Sequence, residues 1–206
     1  MYLTQIHLNL SHPHARGDVA DPYQMHSTLA RLMSSSDDAA PSHFLWRCEA
    51  AGPQSFQLLL QSDAAPHQSR LDGSHVGWAS AIQTKQFDLE AMLGRTASFR
   101  FRLRANPSVC REGKRHGLFR EEEQLAWLSR QGERSGFRVE SATVSQAGRV
   151  VGQRRKGAHP VTVYAALFDG FLQVTDATSL RGAVQQGVGR AKHMGLGLLS
   201  LAPQLP

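Results

Sequence analysis

The 206-residue sequence predicts an α+β fold of two tandem ferredoxin-like (RRM-like) domains. Two observations support this prediction. Each half of the chain reads as strand, helix, strand, strand, helix, strand, and one segment alternates apolar and basic residues as a half-buried strand does. We place the domains at residues 1–94 and 95–206. Both helices of such a domain cover one sheet face, and the other face stays open to a partner.

The first half begins with "YLTQIHLNL", whose alternation predicts a strand, and continues with the loop "SHPHARGDVA". Asp21 then precedes Pro22, an N-cap followed by a first-turn proline, which predicts a helix over Tyr23–Ser34. The segments "HFLWRCEA" and "SFQLLLQS" predict a hairpin. For residues 64–91 we expect a weak helix and a short strand near "IQTKQFDL".

The second half begins with "ASFRFRLRAN", in which alternate residues are apolar and basic. The apolar positions are Phe99, Phe101 and Leu103, and the basic ones are Arg100, Arg102 and Arg104. One face of this strand is therefore a core face, and the other is a row of cations.

A loop, "PSVCREGKRHGLF", follows this strand, and "REEEQLAWLSRQG" then predicts a helix with Gly132 as its C-cap. Next come two strand-rich segments, "GFRVESATVSQAGRVV" and "HPVTVYAALFDGFLQV", on either side of "GQRRKGA". The chain closes with a helix from about residue 178 to 186, a glycine-rich stretch and the strand "LGLLSLA". This order completes the second domain.

The net charge of +6 indicates a polyanionic partner, because basic surfaces commonly neutralise phosphates. Only four of the 23 basic residues are lysines, and the rest are arginines, whose planar fork binds phosphates and base edges bidentately. The alternative is the codon bias of a GC-rich genome. Composition alone leaves both explanations open.

No apolar run is long enough to span a bilayer and no cleavable signal is present, which predicts a cytoplasmic protein with no membrane partner. Cys48 and Cys110 lack any metal spacing, so we expect both to be reduced. The ten histidines form no HExxH or other two-histidine pattern, which predicts that there is no metal site.

Tyr23, His26, Ala30 and Ser34 share one stripe of the helix that begins at Pro22. Imidazole titrates near neutrality and a phenol can orient or donate a proton, so the stripe is a candidate acid–base centre. The alternative is an amphipathic helix that merely carries these residues. Arg31 lies beside the stripe and either stabilises charge on a phosphate or is a solvated helix charge.

The run Arg154, Arg155 and Lys156 lies between two predicted strands. Three cations at a hairpin tip suit insertion along a nucleic-acid groove, and the alternative is an exposed turn that its charges keep soluble.

The stretch "GVGRAKHMGLGLL" is neither a phosphate loop nor a dinucleotide fingerprint, and its helix-then-strand order is the reverse of a Rossmann unit. Exposed N–H groups beside Arg190 and Lys192 can still bind phosphates. The alternative is that Gly195 and Gly197 only permit tight packing. A nucleotide-dependent enzyme is the least favoured interpretation, and we expect no cofactor.

Four segments in order, "MYLTQIHLNL", "DVADPYQMHSTLARLMS", "FRFRLRANP" and "GVGRAKHMGLGLLSLAP", resemble the CasE family of CRISPR precursor-RNA processing endoribonucleases of type I-E Cascade complexes. The resemblance spans essentially the whole chain. It implies metal-independent cleavage of CRISPR repeat RNA at the base of its hairpin by the ribose 2′-hydroxyl, which leaves 2′,3′-cyclic phosphate and 5′-hydroxyl ends. It also implies that the mature crRNA is retained together with other Cascade subunits.

The resemblance places the catalytic residues at His26 and Tyr23, with Arg31 where a relative has lysine and with Ser34 matching that relative. The run at 154–156 falls where the family's basic hairpin enters the RNA stem. The residues expected to bind RNA are Arg102, Arg104, Arg154, Arg155, Lys156, Gly187, Gly189, Arg190, Lys192, Gly195 and Gly197. The alternative function is a non-catalytic subunit that binds and caps the crRNA hairpin.

Overall fold

The computed structural model describes residues 1–154 and 157–204. It contains two four-stranded antiparallel sheets with helices, which confirms the predicted α+β fold of tandem ferredoxin-like units. Two compact units divide the chain. Unit 1 comprises Met1–Phe87, Val151–Val161 and His193–Gly195, and unit 2 comprises Asp88–Val150, Thr162–Lys192 and Leu196–Pro206. The domain boundary between residues 94 and 95 stays a prediction.

The sheet of unit 1 has the strand order β2-β3-β1-β4. Its strands are β1 (Tyr2–Leu8), β2 (Phe44–Gly52), β3 (Ser55–Ser62) and β4 (Ala79–Gln86). The central strand β1 pairs antiparallel with β3 on one side and with β4 on the other, so that Ile6 lies opposite both Leu58 and Ile82. The predicted first strand, hairpin and last strand of this half are confirmed.

Two helices precede β2, α1 (Pro13–Ala20) and α2 (Pro22–Leu32). Apolar residues of α2 pack with strand residues in one buried cluster, which includes Met25, Leu29, Leu32, Ile6, Leu58 and Leu60. The helix ends two residues before the predicted Ser34. Between β3 and β4, where we predicted a weak helix, the chain forms only the short 3₁₀ turns Gln68–Arg70 and Gly73–His75.

The prediction of a loop at "SHPHARGDVA" is wrong, because α1 occupies most of this segment. Pro13 starts the helix, where its missing N–H costs nothing. Asp18 is buried and accepts a hydrogen bond of 2.8 Å from the indole nitrogen of Trp78, sixty residues further along the chain. A distant tertiary contact therefore supports a helix whose local sequence pattern is weak.

The sheet of unit 2 has the order β10-β5-β9-β8, the same arrangement in its own chain order as the first sheet. Its strands are β5 (Ser98–Ala105), β8 (Phe137–Gly152), β9 (Val161–Val174) and β10 (Leu199–Pro203). The last residues of β8 and the first of β9 belong to unit 1. Phe99, Phe101 and Leu103 of β5 are buried, which confirms the predicted core face.

The helices of unit 2 are α3 (Leu89–Leu93), α4 (Glu121–Arg134) and α5 (Ala177–Gln186). The prediction that Gly132 is the C-cap of α4 is wrong, because the helix continues to Arg134 and Ser135 caps it. A Cβ at Gly132 would lie 2.7 Å from the carbonyl oxygen of Phe137. This glycine therefore permits close packing of the helix on the strand that follows.

The segment predicted as the loop "PSVCREGKRHGLF" contains a small hairpin, β6 (Ser108–Arg111) and β7 (Lys114–Gly117). Its two turn residues, Glu112 and Gly113, both have positive φ, at 50° and 73°. Two positive φ values in a two-residue turn match the tight turn that the right-handed strand twist favours. Glutamate rarely adopts this conformation, so the sequence gives little indication of the hairpin.

No helix within residues 1–154 and 157–204 is long and apolar enough to cross a membrane. No group of three or more His, Cys, Asp and Glu side chains in the same residues could hold a metal ion.

Candidate active site

The site in unit 1 is built on the first turns of α2. Asp21 caps the helix, and its carboxylate accepts a hydrogen bond of 2.9 Å from the backbone N–H of Tyr23. The same carboxylate accepts from the backbone N–H of Gln153, at 3.3 and 3.2 Å from its two oxygens. One side chain therefore fixes both the start of the helix and the chain that follows β8.

Gly152 allows that chain to approach the helix. A Cβ at this position would lie 2.8 Å from Cδ2 of Tyr23 and 2.9 Å from Cγ of Pro22, which is closer than real Cβ atoms come. Any side chain here would displace the strand end from the helix. The glycine thus determines how closely Arg154, two residues later, can approach the tyrosine.

The hydroxyl of Tyr23 is the centre of the polar contacts. It shares a hydrogen bond of 3.0 Å with Nε2 of His193, and Nε of Arg154 donates to it at 3.3 Å. The rings of Tyr23 and His193 lie 4.9 Å apart at a tilt of 38°. A phenol between an imidazole and a guanidinium can pass or orient a proton in a positively charged environment.

His193 reaches the site because the glycine-rich stretch packs on a buried tryptophan. Gly195 has φ +74°, and a Cβ there would lie 2.7 Å from Cζ3 of Trp46, which is 3% exposed. Only glycine combines this backbone conformation with so close an approach. His193–Gly195 therefore belongs to unit 1, although the neighbouring residues on both sides belong to unit 2.

His26 lies one helical turn after Tyr23. Its half-buried ring stacks on Phe44 with centroids 5.0 Å apart, and it meets the ring of His193 edge-on at 6.3 Å. Its buried Nδ1 has no hydrogen-bond partner among the described residues. The ring is thus held by packing, and its buried nitrogen lacks the acceptor that would stabilise a charged imidazolium.

Both histidines favour the neutral form. Burial is the main cause that lowers the pKa of His26 below its usual range, and the nearby His193 lowers it further. Burial also lowers the pKa of His193, with a second contribution from the positive charge of Arg154. At neutral pH the site therefore holds two uncharged imidazoles, each able to accept a proton.

Arg31 and Ser34 make their contacts elsewhere in unit 1. The Arg31 guanidinium pairs with the carboxylate of Asp72 at 2.5 Å. The buried hydroxyl of Ser34 donates to the carbonyl of Ala30 at 2.8 Å. Of the predicted catalytic residues, Tyr23 and His26 lie in the cluster with His193, whereas the polar contacts of Arg31 and Ser34 support the helix and its surroundings.

The structure places the residues expected to bind RNA in several surroundings. Arg154 lies at Tyr23, and the predictions for Arg155 and Lys156 lie outside the described residues. Arg190 is exposed and Lys192 is half-buried. Arg102 forms a two-point ion pair with Asp169, at 2.6 and 3.2 Å, and the backbone carbonyl of Arg104 accepts from the N–H of Gly197.

The glycines of the stretch each have a structural reason. Gly187 closes α5 through its N–H on the Ala183 carbonyl. Gly189 lies against the ring of Trp127, where a Cβ would be 3.4 Å from the indole, and at Gly197 a Cβ would be 2.9 Å from the carbonyl oxygen of Val188. These contacts favour the packing interpretation for the glycines and leave RNA contact a prediction.

Sequence reasoning did not place His193 in the site. Helical spacing can join Tyr23 and His26, but it cannot join residues 170 positions apart. The available signal was an imidazole inside the glycine-rich stretch, where the chain is free to approach other groups closely.

The molecule has two sheets of the same strand order, and in unit 1 the ring of His193 contacts the rings of Tyr23 and His26. These features define a tandem ferredoxin-like protein with a candidate acid–base cluster. A model of the CRISPR associated protein family matches residues 1–203. The chain therefore belongs to this family.

Two curated relatives match nearly the whole chain. CRISPR-associated endoribonuclease Cse3 of Thermus thermophilus is 36% identical over 216 residues, which cover 98% of this chain and 100% of the relative. CRISPR system Cascade subunit CasE of Escherichia coli is 34% identical, with the same coverage of both chains. The solved structure of Thermus thermophilus Cse3 bound to an RNA representing a pre-cleavage complex is similar with a TM-score of 0.86 and 36% identity, over 98% of each chain.

Proposed function

We propose that this chain is an endoribonuclease that cleaves CRISPR repeat RNA at the base of its hairpin and keeps the mature crRNA as a subunit of a Cascade complex. The observation that carries the proposal is the convergence of Tyr23, His26 and His193 in unit 1. Relatives over 30% identical that are named as a CRISPR endoribonuclease and a Cascade subunit support the substrate and the assembly.

The proposed reaction uses the RNA as its own nucleophile. The ribose 2′-oxygen attacks the adjacent phosphorus while the bond from phosphorus to the 5′-oxygen breaks, which leaves a 2′,3′-cyclic phosphate and a 5′-hydroxyl. One proton leaves the 2′-hydroxyl and one reaches the departing 5′-oxygen. The protein therefore has to supply a base, an acid, an in-line geometry and positive charge, all of which side chains can provide.

His26 is the general base in this proposal. Burial and the neighbouring His193 lower its pKa, so the neutral imidazole that accepts a proton is the main form at neutral pH. The stack on Phe44 fixes the ring plane, which reduces the conformational freedom that binding would otherwise have to remove.

Tyr23 supplies the acid. Its phenol donates a proton to the departing 5′-oxygen and recovers one from solvent, while the hydrogen bond with the neutral imidazole of His193 orients the hydroxyl. Arg154, which donates to the same phenol, contributes positive charge where the phosphate becomes more negative during the attack. The proposal thus adds Arg154 as a source of positive charge and His193 as a positioning residue to the residues that the sequence predicted to be catalytic.

Arg31 and Ser34 enter the proposal as positioning residues. The Arg31–Asp72 ion pair and the Ser34 hydrogen bond to Ala30 hold the second half of α2, on which His26 depends for its place. The proposed RNA-binding residues remain those at 154–156 in unit 1 and, in unit 2, the arginines of β5, Arg190 and Lys192.

The first test is cleavage of a CRISPR repeat hairpin by the purified chain in the presence of EDTA. We expect a cut at the base of the stem and products with a 2′,3′-cyclic phosphate and a 5′-hydroxyl. A repeat RNA with a single 2′-deoxyribose at the scissile position should bind equally well and stay uncut. Cleavage of the deoxy substrate would contradict the 2′-hydroxyl mechanism, and loss of activity in EDTA would contradict the proposed absence of a metal.

The second test is His26→Ala, which removes the proposed base. We expect the cleavage rate at saturating RNA to fall by about 10²- to 10⁴-fold, the usual contribution of a general acid or base. RNA affinity should change little. His67→Ala, which removes an exposed imidazole elsewhere in unit 1, is the matched control and should cut at the wild-type rate. If excess wild-type chain binds the hairpin without cutting it, the chain is the non-catalytic capping subunit instead.

A further inference from the structure

A second potential site lies in unit 2. A pocket of about 300 Å³ opens between the β6-β7 hairpin and strands β8 and β9. Its size is at the lower end of ligand pockets in proteins. The groups that give it chemical character are two arginines and two aromatic rings, namely Arg115 on β7, Arg149 on β8, Phe119 after β7 and Tyr164 on β9. No carboxylate is among the described residues that line it.

Phe119 is the exposed wall of this pocket. It is 63% exposed, one of the most exposed large apolar residues in the described chain. Its ring meets the ring of Tyr164 at 73° with centroids 4.7 Å apart, so Tyr164 supports it from one side. Asn106, which is buried, donates a hydrogen bond of 2.6 Å to the backbone carbonyl of Tyr164 and fixes that support. A rigidly backed and solvent-facing aromatic ring is a stacking platform.

The arginines are available to an anion. Arg115 makes one long contact, a 3.3 Å hydrogen bond from Nη1 to the hydroxyl of Ser108. Arg149 has no polar partner among the described residues and is exposed. Two guanidinium groups with unused donors beside an aromatic ring can bind a phosphate while its base stacks.

We propose that this pocket binds one unpaired nucleotide of the RNA, with its base stacked on Phe119 and its phosphate held by Arg115 and Arg149. The inference rests on the proposed function in that RNA is the ligand. A base inside the hairpin stem is stacked and paired, so only a nucleotide outside the stem can turn onto the ring. The pocket thus recognises the single-stranded part of the substrate, whereas the cluster at His26 acts on the phosphate to be cut.

The test compares two uncleavable RNAs that carry 2′-deoxyribose at the scissile position. One is the repeat hairpin with unpaired flanks, and the other is the same stem trimmed of both flanks. Binding is measured by fluorescence anisotropy for the whole chain and its variants. Removing the 5′ flank, the 3′ flank or the hairpin loop separately then identifies which unpaired nucleotide occupies the pocket.

Phe119→Leu keeps an apolar side chain and removes the ring. We expect it to weaken binding of the flanked RNA by about 5- to 150-fold, the range that corresponds to one base stacked on an aromatic ring, and to leave the trimmed RNA unaffected. Phe119→Trp should restore the affinity. Because the position is exposed, we expect both variants to fold as the wild type does. An unchanged unfolding midpoint then excludes misfolding as the cause of weaker binding.

Arg115→Ala combined with Arg149→Ala should also weaken only the flanked RNA. The double variant should reduce the slope of log affinity against log salt by about one for each phosphate that the protein no longer neutralises. Arg111→Ala combined with Lys114→Ala is the charge-matched control, because both residues lie on the same hairpin but outside the pocket lining. Any effect of that control should be the same for both RNAs.

The proposal is overturned if folded Phe119→Leu binds both RNAs as the wild type does, while tight hairpin binding by the wild type keeps the proposed function intact. It is also overturned if the variant loses only its association with other protein subunits, which would make the pocket a protein-docking site. If the wild type binds neither hairpin, the proposed function fails. A short single-stranded RNA that binds the wild type and not Phe119→Leu would then still support the pocket, and equal or absent binding would reject it.

Discussion

The two four-stranded sheets have the same strand order and differ in the groups attached to them. The sheet of unit 1 supports Tyr23 and His26 on α2, and it receives Arg154 and His193 from segments that come late in the chain. The sheet of unit 2 carries β5, on which Arg102 is neutralised by Asp169, and the hairpin that forms the nucleotide-sized pocket. A repeated topology therefore supports two different chemistries, because the two sheets carry different side chains and are joined to different connecting segments.

The largest expected effect comes from replacing His193, which belongs to unit 1 although the preceding Lys192 belongs to unit 2. We expect His193→Ala to lower the cleavage rate at saturating RNA by about 10²-fold, since it removes the imidazole that orients the proposed proton donor Tyr23. Lys192→Ala should instead raise the RNA concentration needed for half-maximal rate. Single-turnover cleavage measures both, and equal behaviour of the two variants would remove the distinction.

A comparison of two glycines distinguishes the stability cost of close packing from the cost of a positive φ. Gly195 and Gly113 have nearly the same φ, +74° and +73°, but a Cβ would meet Trp46 at Gly195 and nothing within 4 Å at Gly113. Both alanine variants lose about 1 kcal/mol through the positive φ, and Gly195→Ala should lose about 1–3 kcal/mol more through overpacking. Urea unfolding gives the difference.

Gly195→Ala should also slow cleavage, because it displaces the segment that carries His193. Gly113→Ala serves as its control for the conformational cost alone. Similar stability losses in the two variants would mean that the tryptophan moves aside and that the glycine does not position the histidine.

The pH dependence of stability reports the partial burial of the His26 imidazole. The pKa of His26 is lower in the folded chain than the ordinary value of about 6.5 that it regains on unfolding. The unfolded chain therefore binds the extra proton below pH 6.5, so the contribution of His26 to stability is complete above that pH and is lost as the pH falls towards the folded pKa.

His26→Gln should accordingly show a smaller loss of unfolding free energy than the wild type between about pH 7.5 and about pH 5.5. Urea titrations at each pH make the comparison. A His26→Gln slope equal to that of the wild type would mean that burial does not disfavour the charged imidazole.

The ion pairs of the two units give the smallest expected difference. Arg31–Asp72 in unit 1 is one contact between partly exposed groups, and Arg102–Asp169 in unit 2 is a two-point pair. Double-mutant cycles on unfolding should give about 0.2–1 kcal/mol for each, with the two-point pair at the upper end. A larger coupling for Arg31–Asp72 than for Arg102–Asp169 would contradict this order, and a hundredfold loss of cleavage in Arg31→Ala would assign Arg31 a direct part in the reaction.

Much of the fold could be predicted because its signals are local. The alternation of β5 and the Asp21-Pro22 start of α2 depend on neighbouring residues alone, and the structure contains both. The helix α1 and the β6-β7 hairpin were missed because one relies on the distant Trp78 and the other on a glutamate with positive φ. Local sequence patterns do not predict such features.

The shared helix face of Tyr23 and His26 follows from the sequence alone, because a fixed helical period places residues three apart side by side. The approach of His193 and Arg154 to the same phenol, 170 and 131 residues away along the chain, is visible only in the folded molecule. Their approach depends on Gly152 against Tyr23 and on Gly195 against Trp46, where the absence of a Cβ leaves the necessary space. Steric fit between distant segments therefore brings the cluster together, and the periodicity of the sequence cannot predict such a fit.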